Sequence, residues 1–441
     1  LYCNSSARGV NGAAEDLDIS SEYRYKPEKD MHDQIGKYTR KLLRDRTAVP
    51  ESLRFYRLDD IVSANRHDEW LPLFTEVFHR LDITALLFAR LTLPFADLLV
   101  ERAGPGTDRL VPKDSETRVF LHDIPFIRKK EWKGVSKADL TTMIVRCLKE
   151  RKAAIIQGLG VVSTGGVTVE QAYIGFSTIF HTTFVKYLLD VLTDGFKLSN
   201  EKMIFEGFKQ TGNRSPDLSD LTFTPGPLEA GTDSGLSPHP RPLPQGAREL
   251  IYEEICRVGR YTVEKGYVDS FFGNISYFDG KTIYISQTTS SLDELEGFID
   301  PVPVDGSSTA GLSASSELPT HRAIYLDSAY RAVLHGHPRF SIILSMLCDE
   351  KNCRIKDCNR LCDRARSVCG VPIVAGETGA GGMARSVPAA MKDRGVCIVY
   401  GHGIFSAGER DFQDAFMNMA DVENKCREEY FHLAEERNKI K

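Results

Sequence analysis

Two histidines one residue apart, His335 and His337, follow the apolar run Arg331 to Leu334. On an extended chain alternate side chains point the same way, so this pair can aim two imidazoles at one ion. Imidazole nitrogen suits zinc and other divalent first-row metals. A third imidazole is at hand in His402, set between Gly401 and Gly403 at the end of another apolar run, Val396 to Tyr400. Flanking glycines let the backbone turn sharply and leave the ring accessible. Glu317 follows Ser315 and Ser316 and opens a helix. A carboxylate there can complete a metal shell or move a proton. A lone His-x-His is usually a pair of satisfied core histidines; here the ensemble of His335, His337, His402 and Glu317 argues for a site.

A second group of metal-ligand type is a run of cysteines. Five of the ten in the chain, Cys348, Cys353, Cys358, Cys362 and Cys369, fall in Leu347–Gly370, after the helix that follows His337. In a large cytosolic protein a local cluster reads as metal-binding before it reads as disulfides. Four such thiolates can hold zinc or an iron–sulfur cluster, although the spacing matches no standard ribbon or ferredoxin pattern. The alternative is a solvated helix–loop insertion with free or paired thiols, since Lys351, Arg354, Lys356, Arg360, Arg364 and Arg366 alternate there with acids. Gly379 to Gly382 lacks the spacing of a phosphate-cradling loop.

These residues must be positioned by a chain of 441 residues, for which two domains are the natural expectation. The composition, 41% hydrophobic and 27% charged, allows sizeable cores. A formal net charge of −5 gives no general affinity for nucleic acid, and no apolar run is long enough to span a bilayer. With no secretory-type leader in the given sequence, a cytoplasmic setting is expected. Residues 1–30 are polar and aperiodic and read as a flexible arm; residues 213–246, rich in Pro, Gly and Ser, read as a linker. Residues 31–212 and 247–441 are then the two domains. In the first, the pattern predicts a charged helix over 31–46 and buried elements over 67–103. Arg118 to Ile127 reads as a strand entering a loop, Leu140 to Glu150 as a helix, Ala153 to Ile156 as a strand and Val169 to Leu192 as a long helix. In the second it predicts a helix over 247–265, strands over 273–278, 282–286 and 396–400, and helices after Glu317, Pro338 and Asp411.

The motifs of the second half resemble the class II aldolase/adducin family over about 190 residues. Gly273-Asn274-Ile275-Ser276 is similar to its Gly-Asn-x-Ser element, and Ile285 to Leu295 to its substrate loop followed by a leucine helix. Ser315-Ser316-Glu317 with His321 resembles its Ser-Ser-Glu-x-x-x-His element. His335-Gly336-His337-Pro338 and Gly401-His402-Gly403 resemble its two metal elements. The resemblance implies an α/β/α fold with a central, mainly antiparallel sheet and a divalent metal, usually zinc, on His335, His337 and His402. Glu317 would be the acid/base, near or on the metal. Asn274, Ser315 and Ser316 match the positions where phosphate-using members hold the phosphate, and Thr288 of the substrate loop is a further substrate-binding candidate. The implied reaction is lyase chemistry on a small hydroxy-carbonyl substrate. Breaking a carbon–carbon bond next to a carbonyl leaves an enediolate, which a metal ion stabilises while a carboxylate moves the proton. Epimerase, dehydratase, decarboxylase or non-catalytic adducin-like scaffold roles are the alternatives. One departure stands out: where the family's loop reads Thr-Pro-Ser/Thr-Gly, this chain has Ser286-Gln287-Thr288-Thr289.

The first half echoes the second. Leu148 to Tyr173 aligns without a gap on Met391 to Phe416, sharing an apolar strand, Gly-x-Gly, Ser-x-Gly and a helix. Leu159 falls where the second half has His402. Upstream, Phe120 to Pro125 mirrors Val333 to Pro338, which pairs His122 with His335 and Ile124 with His337. One histidine cannot hold a catalytic zinc. The expectation is therefore a duplicated fold whose N-terminal copy has no metal, serving as scaffold and lending at most His122 or Asp123 to the other site. Family members commonly form fourfold rings, so a homo-oligomer, a dimer acting as a pseudo-tetramer, is implied.

Overall fold

The computed structural model describes residues 31–212 and 247–439, apart from Ser270, Asp349, Lys351, Asn352, Lys356 and residues 377–379. The expected arm and linker lie outside the described residues. The first lobe begins α1 (Met31–Arg44), β1 (Arg54–Leu58), β2 (Val62–Ala64), α2 (Leu71–Arg80), β3 (Ala85–Ala89) and α3 (Phe95–Arg102). It continues β4 (Arg109–Leu110), α4 (Ser115–Leu121), β5 (Ile124–Ile127), α5 (Lys129–Trp132) and α6 (Lys137–Glu150). It ends β6 (Ala153–Ile156), β7 (Gly160–Gly165), α7 (Val169–Asp194) and α8 (Glu201–Gly212). The second lobe begins α9 (Ala247–Glu264), β8 (Gly273–Phe278), β9 (Thr282–Ser286), β10 (Ile299–Pro303), α10 (Leu318–Asp327) and β11 (Ala332–Gly336). It continues α11 (Arg339–Ser345), α12 (Cys358–Leu361), β12 (Arg366–Val368), β13 (Val371–Val374) and α13 (Ala380–Met391). It ends β14 (Val396–Val399), β15 (Gly403–Gly408) and α14 (Phe412–Lys439). No helix of the described residues is long and apolar enough to cross a membrane.

Each lobe is one sheet between helices. The second sheet has eight strands in the order β10-β9-β8-β11-β15-β14-β13-β12, and the first has seven, β2-β1-β3-β7-β6-β5-β4. Both are antiparallel except for one parallel step, β13 beside β14 and β5 beside β6. Apart from the edge strand β10, the two orders superimpose strand for strand, which makes the fold a duplication.

Register identifies the equivalent residues. β6, β7 and the start of α7 match β14, β15 and the start of α14 as the sequence alignment expects, so Leu159 does stand at the His402 position. The upstream equivalence differs. β11 pairs His335 with Phe405 on β15, and β3 pairs Phe88 with Val162, the residue aligned with Phe405, on β7. The counterparts of His335 and His337 are therefore Phe88 and Arg90, not His122 and Ile124. Residues 118–121, expected to be strand, belong to α4, which starts with Asp114 accepting a hydrogen bond from the Thr117 N–H at 2.8 Å. Such a cap satisfies an orphan amide and favours helix. The expected leucine helix before Leu295 is absent too: that stretch is a series of turns that still buries Leu292 and Leu295.

The lobes share a core. α7 packs against α11 and α14. Phe184 of α7 has its ring centroid 5.9 Å from Phe95, 5.7 Å from Phe208 and 5.7 Å from Phe340. The Tyr430 hydroxyl donates across the boundary to the Leu188 carbonyl at 2.9 Å. Lys41 of α1, buried, meets Asp293 of the second lobe at 2.8 Å. Phe184→Ala should cost about 3–5 kcal/mol, the usual range for emptying a buried phenylalanine site. Because one core serves both sheets, chemical denaturation should show a single transition moved to lower denaturant; a split transition would argue against the shared core.

Candidate metal centre

β11 and β15 lie at the middle of the second sheet and are buried along their whole length. His335 sits on β11 and His337 just beyond its end, while His402 occupies the turn between β14 and β15. Their Nε2 atoms converge: His335 to His337 at 2.9 Å and His335 to His402 at 3.1 Å. Among the described residues this is the group whose ligand atoms all fall within 4.8 Å of one another. Three ring nitrogens converge on one point, an arrangement that suits a shared cation. Tetrahedral zinc with Zn–N of about 2.0–2.1 Å needs nitrogens only slightly further apart.

Glycine makes the convergence possible. A Cβ on Gly403 would lie 2.3 Å from the Gly336 carbonyl oxygen, 2.6 Å from His337 Cδ2 and 3.0 Å from His335 Cε1. Its role is close approach rather than accessibility. The turn itself is made by Gly401, at φ +58°. Gly403→Ala should push both imidazoles out of position and weaken divalent-ion binding by about 10-fold or more, an effect of the order seen when partners that orient metal ligands are lost. Titration with Co²⁺ would read this, and an unchanged affinity would refute it.

Two of the three rings are held at Nδ1. His335 Nδ1–H donates to the Ile404 carbonyl at 2.9 Å, leaving Nε2 as the free lone pair. His402 Nδ1 lies 3.2 Å from Glu116 Oε1 and 3.2 Å from Ser115 Oγ, both from α4 of the first lobe. Burial pulls His335 down to about 4 and His337 well below its ordinary value, so both are neutral. Burial also opposes the charge on His402, but Glu116, Glu317 and Asp114 outweigh it and push that ring up to about 9.

Glu317 closes the group. Its Oε1 lies 3.2 Å from His402 Nε2 and its Oε2 3.4 Å from His335 Nε2. Burial would raise this carboxyl, but His335, His402 and Asn274 hold it well below the usual carboxylate range. A directed hydrogen-bond chain fixes it. Ser276 Oγ donates to His321 Nδ1 at 2.6 Å, His321 Nε2–H donates to Asn274 Oδ1 at 2.5 Å, and Asn274 Nδ2 donates to Glu317 Oε2 at 2.7 Å. The Tyr325 hydroxyl completes it by donating to the Ser276 carbonyl at 2.9 Å. Buried His321, drawn down to about 3, stays neutral as the chain requires. Both ends of the Asn274 amide are thus engaged within the protein.

Ser315 is buried and its Oγ accepts from the Glu317 N–H at 3.3 Å, whereas Ser316 and Thr288 are exposed. The altered loop keeps a glycine-like backbone: Thr289 stands at φ +60° where the resembling loops have glycine. A β-branched residue in that region is a genuine outlier, strained by roughly 1–2 kcal/mol.

Other expected residues lie elsewhere. Asp123 is held by Arg109 and Arg151, and His122 caps α4 at φ +61°. The residues the first lobe does bring to the site, Ser115 and Glu116, carry no sequence signal beyond the cap of their helix. Cys348, Cys353, Cys358 and Cys362 line one cavity of about 530 Å³ that does not include the histidines, and Cys369 lies in the turn before β13, beside Cys426. Among the described residues the cysteines do not form a group with three ligand atoms within 4.8 Å, so the expected second zinc or iron–sulfur site finds no support in ligand geometry.

Residues 253–430 match the family described as Class II Aldolase and Adducin N-terminal domain, and the second lobe is a domain of that family. A relative, the 3-oxo-tetronate 4-phosphate decarboxylase of Cupriavidus necator, is 35% identical over 102 residues. That match covers 22% of this chain and 45% of the relative, so the chain spans less than half of its length. Among solved structures, the L-fuculose-1-phosphate aldolase of Thermus thermophilus is 25% identical with a TM-score of 0.35, covering 43% of this chain and 96% of that one. A sugar-phosphate aldolase of Thermotoga maritima is 18% identical with a TM-score of 0.31, covering 43% and 96%.

Proposed function

We propose that this chain is a metal-dependent lyase of aldolase type, which breaks or forms a carbon–carbon bond next to a carbonyl in a small, sugar-like substrate. The observation that carries this reading is the convergence of three imidazole Nε2 atoms beside an ionised, firmly held Glu317. His335, His337 and His402 would hold a divalent ion, and zinc best suits an all-imidazole set. When bound, such an ion supplies Lewis-acid polarisation of substrate oxygens and offsets the negative charge that develops as the bond breaks. Glu317, anchored by Asn274, takes and returns the proton. Ser316 and Thr288, exposed, and Ser315 beside Glu317 would meet the substrate's polar end. With both ends of the Asn274 amide engaged, phosphate binding would fall to the hydroxyls and to loop amides. In this reading residues 31–212 are a metal-free copy and residues 247–441 the metal-bearing one, and two chains would present four lobes; native mass spectrometry should then read a dimer.

A decarboxylase reading is favoured by the 35% identical relative. The two reactions share their chemistry, loss of a carbon fragment next to a carbonyl followed by protonation. The test is to load the purified chain with Zn²⁺, Co²⁺ or Mn²⁺ and offer phosphorylated and free aldols alongside 3-oxo acids. Aldehyde release supports the lyase, and CO₂ release supports the decarboxylase. A chain that binds no divalent ion and turns over none of these substrates would overturn both and leave an adducin-like scaffold role.

A further inference from the structure

We infer that the metal-free lobe positions the metal centre of its neighbour: Ser115 and Glu116 hold His402 in the tautomer and orientation in which Nε2 is free to bind. This rests on the metal-binding reading of His335, His337 and His402. The first lobe has no such centre of its own, for Phe88, Arg90 and Leu159 stand at the three positions. It nevertheless reaches the second lobe's centre, at His402 Nδ1.

The contact is built from several fixed points. Asp114 is buried, accepts from both the Thr117 N–H and the Thr117 hydroxyl, at 2.8 and 2.6 Å, and so sets the start of α4. The next residue, Ser115, donates its N–H to the Gly401 carbonyl at 2.7 Å. The Ser115 hydroxyl donates to the same carbonyl at 3.1 Å, leaving its lone pairs toward His402 Nδ1. From the other side the Gly401 N–H donates to Ser345 Oγ at 2.8 Å. The His402 turn is therefore clamped between lobes, and Glu116 Oε1 stands ready to accept the Nδ1 proton. A carboxylate behind a ligating histidine fixes the ring and raises its basicity, and losing such a partner typically costs about 10–100-fold in metal affinity. The first lobe thus acts on the reaction without touching substrate; Glu116 is a positioning residue.

The test is Co²⁺ titration of the full chain against a competing chelator, for wild type, His402→Ala, Glu116→Ala, Glu116→Gln and Ser115→Ala. Co²⁺ reports its ligands, because thiolate binding adds a charge-transfer band that imidazole binding lacks. Wild type should bind through imidazole and His402→Ala should not. Glu116→Ala should bind about 10–100-fold more weakly. Glu116→Gln should recover part of that loss, because an amide oxygen still accepts from Nδ1–H, and Ser115→Ala should fall between. Glu116 is partly exposed and outside the core, so its variants should unfold at the wild-type denaturant concentration. If wild type binds and His402→Ala does not, but Glu116→Ala binds as wild type does, the positioning role is overturned and the metal centre stands. If wild type binds no divalent ion, both fall.

Discussion

His402→Ala protein should emerge from purification without the divalent ion that the proposed function expects of the wild-type chain, and added Zn²⁺ should bind it at least about 100-fold more weakly. The lower bound follows from loss of partners that merely orient ligands, which already costs about 10–100-fold; deleting a ligand costs more. Two imidazoles remain, and catalytic zinc sites keep about three protein ligands. The wild-type centre also carries a pH signature. In the metal-free protein His402 holds a proton up to about pH 9, whereas His335 and His337 are neutral far below neutrality. The cation must displace that proton, so apparent affinity should rise with pH and level off near 9, with about one proton released per ion at pH 7. Calorimetry in buffers of different ionisation enthalpy would count it. Metal retained in His402→Ala, or an affinity flat between pH 7 and 9, would sink this account of the site.

Much of the centre was legible in the sequence because it is local. His-x-His after an apolar run, a histidine between glycines and a glutamate opening a helix are patterns of a few residues, and all four side chains do converge. The gap-free alignment of 148–173 on 391–416 was equally legible, since two strands, a tight turn and a helix start keep their spacing. What misled was a longer reach. Phe120 to Pro125 looks like Val333 to Pro338 by composition, but pairing register assigns that role to β3, where Phe88 and Arg90 retain no trace of the histidines. A truer signal was present in the Leu-Pro that starts both α2 and α10, at Leu71-Pro72 and Leu318-Pro319. It puts Trp70 opposite Glu317. The partners Ser115 and Glu116 were beyond reach for a physical reason: nothing in a seven-residue helix states which distant turn it will touch. The hydrogen-bond chain through Ser276 and Tyr325 likewise depends on alternation across β8 and one face of α10 meeting in three dimensions. The cysteine run is a dense local pattern whose four members Cys348, Cys353, Cys358 and Cys362 share one cavity without a tight ligand cluster among the described residues.

Glu317→Gln should separate the two roles open to that carboxylate. The substitution keeps the shape, and its amide oxygen still accepts from Asn274, so the chain from Ser276 through His321 stays intact. What disappears is the negative charge and the ability to take a proton. If Glu317 acts as the acid/base, turnover should fall about 10²–10⁴-fold, while Co²⁺ affinity stays within about tenfold of wild type, short of the full loss expected for a deleted ligand. This is the expected result, because Asn274 holds Oε2 at 2.7 Å and so restrains the carboxylate at one oxygen. KM should change little, since a proton carrier works mainly in the transition state. A glutamate that instead ligates the ion would lose metal affinity in parallel with turnover, and excess Co²⁺ would restore part of the rate. Rate and affinity both unchanged would remove Glu317 from the chemistry altogether. The proton would then have to be carried by a group other than Glu116, which meets His402 only at Nδ1, on the side of the ring away from Glu317.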